Sequence, residues 1–250
     1  MKKAAVLILS SFAMTNVFAE KDGLVEYVGA QKNIFATGKA ESAISLKEFA
    51  ERSHIFGIGP VEGLDGEITL FNSKPYVSKV HGEDYDVNHS FDCGAIFFVW
   101  TEQKEWQEMP IPETVQSYVD LQNFVKTQAN QIGIDTNKPF PFLLSGTPKE
   151  IKWHINVDRT NGQTITKELF AKSKQSYINQ SEPVDILGFY SENHTGIFVS
   201  QYSPAIKPDS GIKNSIHIHF VSNTTKATGH IDNITLGSNM LLKLPKLLGQ

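Results

Sequence analysis

Apolar and polar positions alternate with a strand-like period over most of the chain. The segment Ser215-Ile216-His217-Ile218-His219-Phe220-Val221 alternates strictly. On a strand this sends Ile216, Ile218 and Phe220 to one face and His217 and His219 to the other. Further strands are predicted at residues 24–28, 67–71, 76–80, 95–100, 150–157, 186–190, 197–202, 229–236 and 241–244. Asn72-Ser73 would turn the second of these into the third as a hairpin. Gly57-Ile58-Gly59-Pro60 reads as a break, and the polar stretch 81–92 as a loop. Helical spacing is confined to three segments, 45–51, 112–131 and 165–174. In the longest, Val115, Tyr118, Val119, Phe124 and Val125 recur at helical spacing, with Pro112 and Glu113 suited to a first turn. Sheet-rich segments with so few helices predict an α+β fold of two mixed or antiparallel sheet-containing parts. The expected division is an N-terminal α+β part, residues 20–145, and a β-rich part, residues 146–250, that carries the histidine strand.

The first residues are expected to stand outside that fold. Lys2 and Lys3 precede an apolar run that ends at Val17-Phe18-Ala19. This is the pattern of a signal peptide over residues 1–19, cleaved after Ala19. The run is too short and interrupted to span a bilayer, and no second one approaches that length. The expected product is exported, periplasmic or extracellular, with no membrane association after cleavage. Hydrophobic residues make up 40% of the 250 and charged ones 20%, which excludes collagen-like and disordered chains. The net charge is -4 and the lysines are scattered, so no nucleic-acid partner is expected. Arg52 and Arg159 are the only arginines, too few for an arginine-built anion site. Cys93 has no partner for a disulfide and sits beside an apolar run, as an inert thiol would.

Chemistry concentrates on the histidine strand. His217 and His219 would stand about 7 Å apart on one strand face. After a polar turn, Gly229-His230 leads into a return strand that can bring His230 beside them. Three imidazoles with an open position describe a catalytic zinc site, and imidazole also suits iron, nickel and copper. The plainer alternatives are a wet edge-strand face for His217 and His219 and a turn position for His230. A cupin site also uses His-x-His, but no glutamate follows here. Leu64-Asp65-Gly66-Glu67 reads as a turn feeding a strand, with Glu67 and Thr69 on its polar face. Glu67 is a candidate for proton transfer, metal coordination or orientation of a bound water, the alternative being a surface glutamate. His154 shares a strand face with Lys152 and is either turned to a ligand or structural. His54 reads as a boundary residue, and His81, His89 and His194 as surface residues.

With these residues in view, the chain resembles the acetolactate decarboxylase family. The resemblance runs through Gly57-Ile58-Gly59, Leu64-Asp65-Gly66-Glu67, Asn137-Lys138-Pro139-Phe140-Pro141, Gly146-Thr147 with Ile151-Lys152, residues 196–204, His217-Ile218-His219-Phe220-Val221-Ser222, Gly229-His230 and Leu244-Pro245. It implies a zinc ion held by His217, His219 and His230, Glu67 as an active-site glutamate, and a protein that is often a homodimer. The implied substrate is a small 2-hydroxy-3-oxo acid, 2-acetolactate, which loses its carboxylate to give acetoin. Two positions depart from the family pattern. His154 stands where an arginine is expected to grip or orient the substrate, which makes His154 a catalytic candidate. The segment 241–250 contains no acid where the family carries a second glutamate. Other activities compatible with the pattern are a metal-dependent lyase or isomerase on a related acid, and a non-catalytic exported binder of metal and small oxyanions.

Overall fold

The computed structural model describes residues 19–247. The expected signal segment therefore lies outside the described residues, apart from Ala19. In chain order the strands and helices begin with β1 (Glu20–Asp22), β2 (Val25–Val28), α1 (Gln31–Thr37), β3 (Ile44–Ser45), β4 (Ile55–Pro60), β5 (Glu67–Phe71), β6 (Lys74–His81), β7 (Asp84–Asn88), β8 (Gly94–Ala95) and β9 (Phe98–Glu102). They continue with β10 (Trp106–Pro110), α2 (Tyr118–Gln131), β11 (Phe140–Gly146), β12 (Glu150–Asn156), α3 (Lys167–Lys172), β13 (Lys174–Gln180), β14 (Val184–Tyr190), β15 (Ile216–Ser222), β16 (Thr228–Thr235) and β17 (Leu241–Pro245). One sheet has seven strands in the order β1-β2-β9-β4-β5-β6-β7. The other has eight, β10-β17-β11-β14-β15-β16-β12-β13, and β3 pairs with β8. The expected α+β class with antiparallel sheets is borne out.

The two large sheets pack face to face, and alternation along each strand explains the three apolar layers. Phe56, Ile58 and Val99 of the seven-stranded sheet meet Leu143, Leu187 and Phe189 of the other in a central layer. The outer face of the eight-stranded sheet carries Ile218, Phe220 and Ile231, covered by Leu121, Val125 and Ala129 of α2. Ile68, Leu70 and Phe98 form the outer layer of the seven-stranded sheet with Leu46 and Phe49. Helix α2 starts later than predicted. Ser117 and Asp120 form a capping box there, while Pro112 only closes a preceding turn onto Val115.

Several predicted elements are corrected. Residues 57–60 are not a break: they belong to β4, which is buried throughout. Gly57 and Gly59 are small because of packing. A Cβ on Gly57 would lie 2.6 Å from the Phe98 ring, and one on Gly59 2.2 Å from the Phe97 carbonyl oxygen. The stretch 81–92 contains strand β7, which hairpins with β6 through Gly82 at a φ of 67°. Its Asp84, Asp86 and Asn88 are exposed while Tyr85 and Val87 are partly buried, the profile of an edge strand. Residues 197–202 are not a strand. The chain doubles back at Gly196, and the amides of Ile197 and Val199 both donate to the His194 carbonyl. No strand is predicted over β11, which contains Pro141. Pro141 is accommodated because β17 pairs only with Leu143–Ser145, leaving Pro141 one neighbouring strand.

Candidate active site

The site is built where β15, β16 and β12 run side by side. His219 lies directly opposite His230, and His230 directly opposite His154, so three imidazoles form a row across the sheet. His217 adds a fourth, two residues along β15. Ligand atoms of His217, His219 and His230 all lie within 4.8 Å of one another. The alternative of a wet strand face is excluded, because β15 is internal to the sheet and buried along its whole length. His230 is the third residue of β16, not a turn residue. Both histidines of β15 point into the layer between the two sheets, His219 toward Thr69 of β5 and His217 toward Phe97.

Strand β5 closes the site from the opposite sheet. Glu67 and Thr69 share its inward face, as alternation predicts, and both are buried. Glu67 is 2% exposed, which rules out the surface reading. Its Oε2 lies 3.6 Å from His219 Nε2, and its Oε1 accepts a hydrogen bond of 2.6 Å from Asn156 Nδ2. Thr69 Oγ1 pairs with His219 Nδ1 at 3.2 Å and with Thr228 Oγ1 at 2.5 Å. The hydroxyl therefore occupies the outer nitrogen of His219 and leaves Nε2 to face the centre. That atom is 3.2 Å from Nε2 of His217. Nitrogens each about 2.0–2.1 Å from a tetrahedral zinc would lie about 3.3–3.4 Å apart, so the spacing of this pair fits one shared ion.

His154 is held by Asp232. Its Nδ1 pairs with Asp232 Oδ2 at 2.8 Å, and its ring centroid is 4.9 Å from that of His230. A β-bulge in β16 makes this possible. The register against β12 shifts between Lys152 and Trp153, leaving Asp232 as the extra residue. His230 and Asp232 then both face the site, while Ile231 and Ile234 both return to the core. Asn156, Asp232 and Lys174 were not singled out from the sequence. Asn156 continues the alternation Lys152, His154, Asn156. Asp232 lies two residues past His230, so period two alone would have flagged both.

Burial sets the electrostatics. It pushes His217 down to about 3 and lowers His219 and His230 well below the usual histidine range, aided in all three by neighbouring imidazoles. All three rings are neutral near pH 7, the form that donates a lone pair to a metal. Burial, followed by the nearby Asp232 carboxylate, pushes Glu67 well above the ordinary carboxylate range. Asp232 is also raised by burial, but the His154 hydrogen bond and the surrounding positive charge outweigh this and hold it at about 2.

The other histidines stand apart. His194, expected at the surface, is buried against Tyr27 and Phe198. His81 and His89 are exposed as predicted. Cys93 is partly buried, and burial pushes its thiol up to about 11, away from reactivity near neutral pH.

Fold and site together define a two-sheet α+β protein with a buried three-histidine centre and an adjoining carboxyl group. The family model of alpha-acetolactate decarboxylase matches residues 29–246, and the chain belongs to that family. A Staphylococcus aureus protein of unknown function, described as similar to alpha-acetolactate decarboxylase, superposes with a TM-score of 0.67 at 18% identity, covering 88% of this chain and 84% of that one. Alpha-acetolactate decarboxylase of Bacillus subtilis strain 168 gives 0.66 at 16% identity, over 88% and 85% of the two chains. Acetolactate decarboxylase of Bacillus subtilis subspecies spizizenii gives 0.67 at 17%, with the same coverage. At these identities the likeness is one of fold. No curated protein sequence matches the chain.

Proposed function

We propose that the protein is a metal-dependent carboxy-lyase that converts 2-acetolactate to acetoin, with zinc at His217, His219 and His230. The observation that carries this reading is the convergence of three neutral imidazoles and the Glu67 carboxyl on one buried point. A divalent ion held there would supply Lewis acidity toward the ketone and hydroxyl oxygens of the substrate, worth several kcal/mol. The remaining work falls to the chain itself. When the bond between C1 and C2 breaks and CO₂ leaves, the electron pair stays on C2 and spreads into the adjacent carbonyl. Glu67 then moves a proton from its carboxyl to the resulting carbon centre and regains one from water. Asn156 fixes Glu67 through Oε1, so Oε2 is the oxygen turned toward the reacting atoms. The buried walls exclude bulk water from a carbanionic centre that needs a single, directed proton.

The test is acetoin formation from 2-acetolactate by the purified chain, with and without a chelator. Chelator-sensitive acetoin above the spontaneous rate is expected; its absence would remove the reading. A second reading, binding of a metal and a small oxyanion without turnover, is supported by His154 where the family resemblance expects arginine. It forecasts metal and anion binding with no acetoin. Export belongs to the same proposal, supported by Lys2 and Lys3 ahead of the apolar run to Ala19. The mass of the secreted chain should begin at Glu20.

A further inference from the structure

The proposed substrate is an anion, yet it must enter a centre that already holds the carboxyl groups of Glu67 and Asp232. Neither arginine is available to receive it. Arg52 pairs with Glu102, and Arg159 is exposed and donates to Gln175. Lys152 pairs with Glu150 and is exposed. Lys174, the first residue of β13, is placed differently. It lies directly opposite Asn156 in the β12–β13 register. Residues directly opposed across an antiparallel pair project from the same face. That is the face on which Asn156 holds Glu67 and His154 stands beside His230. The Lys174 ammonium is 3.8 Å from Asp232 Oδ1, close enough for attraction and too far for a hydrogen bond. Its side chain is about one-third exposed, whereas Asp232 is 13% exposed and Glu67 3%. Lys174 therefore stands at the rim of the centre with its charge turned inward.

The geometry points to Lys174 as the specificity-determining cation that receives the substrate carboxylate. This inference rests on the decarboxylase reading above and deepens it. An ammonium is a compact point charge on a flexible stem. It can leave the loose contact with Asp232 for a carboxylate without abandoning a formed hydrogen bond. The attraction belongs to the bound substrate. Once CO₂ departs, the negative charge has moved away from Lys174. The residue should accordingly act on substrate capture more than on the bond-breaking step.

The experiment uses the zinc-loaded full chain as wild type, Lys174→Gln, Lys174→Arg and, as a control, Lys152→Gln. Turnover of 2-acetolactate is measured beside calorimetric binding of 2-hydroxy-2-methylpropanoate and of its neutral amide. Thermal melting establishes that each variant is folded. Loss of one charge-assisted contact is expected to raise KM about tenfold or more in Lys174→Gln, with a much smaller change in kcat. Lys174→Arg should recover most of the loss, and Lys152→Gln should match wild type. Wild type should bind the acid more tightly than the amide, with that margin sharply reduced in Lys174→Gln. If Lys174→Gln keeps both the wild-type KM and the wild-type margin, the assignment is wrong. If wild type makes no acetoin but shows a margin that depends on Lys174, the decarboxylase reading falls and Lys174 stands as an anion-binding residue. A wild type that does not distinguish acid from amide overturns Lys174 whatever the turnover.

Discussion

Two buried histidine environments lie in this fold, and they differ in one respect. His194 is fully engaged: Nδ1 pairs with Ser191 Oγ at 2.8 Å, and the ring stacks on Phe198 and meets the edge of Tyr27. Its Nε2 lies 3.7 Å from an Asp22 carboxylate oxygen. His217 and His219 are just as enclosed and His230 is partly so, but their inner nitrogens face one another, with the Nε2 atoms of His217 and His219 3.2 Å apart. Burial lowers the pKa in both places. A buried, neutral imidazole is therefore not by itself a sign of chemistry. The distinguishing feature is three ring nitrogens gathered around a common point, where one cation can engage all of them at once.

The sharpest way to break the contrast is to remove one convergent ring. His219→Ala should abolish tight zinc binding and bring acetoin formation to the spontaneous rate, read by metal content and by turnover. Glu67→Gln comes next. It keeps the ligands and the hydrogen-bonding shape but has no proton to transfer, so turnover should fall about 10²–10⁴-fold while zinc content is kept. Thr69→Val is smaller still. It leaves His219 in place but removes the hydroxyl on its outer nitrogen, and zinc affinity should fall about 10–100-fold, measured by competition with a chelator. If Thr69→Val left zinc affinity untouched, the opposing sheet would have no part in holding the ligand.

These expectations also show what could be read without the fold. Strict alternation in Ser215–Val221 separated the histidine face from the apolar face, because each had one kind of neighbour. The return of His230 was legible from the short polar turn, since consecutive antiparallel strands usually pair. Glu67 followed from alternation on β5 for the same reason. Asp232 was in period with His230 and legible on that ground alone, whereas Lys174 was hidden because only the β12–β13 register places it beside Asn156. The glycines of β4 misled for a related reason: their causes are the Phe98 ring and the Phe97 carbonyl, more than thirty residues away in sequence. His194 was misplaced because polar neighbours in sequence say nothing about Tyr27 arriving from the opposite sheet. Local pattern thus revealed which face carried chemistry, while partners contributed by strand pairing and sheet stacking required the three-dimensional arrangement.

The smallest expected effect tests the other half of the contrast. His194→Leu keeps bulk against Tyr27 and Phe198 but leaves the Ser191 hydroxyl without its imidazole partner. Zinc content and turnover should be unchanged, and stability should fall by about 1–2 kcal/mol in a denaturant titration. The cost should depend on pH, with a sign that follows from burial. Burial lowers the His194 pKa below its ordinary 6.5, and the carboxylates of Asp22 and Glu20 only partly oppose this. The unfolded chain therefore binds the proton more readily than the folded one. The His194 contribution is full above that ordinary value and is lost as the pH falls toward the depressed folded value. Wild type should lose more stability than His194→Leu between about pH 7.5 and 5.5, so the gap between them narrows on acidification. A gap that widened would mean that the ring is stabilised in its charged form by Asp22 and Glu20, and that its environment had been assigned the wrong polarity.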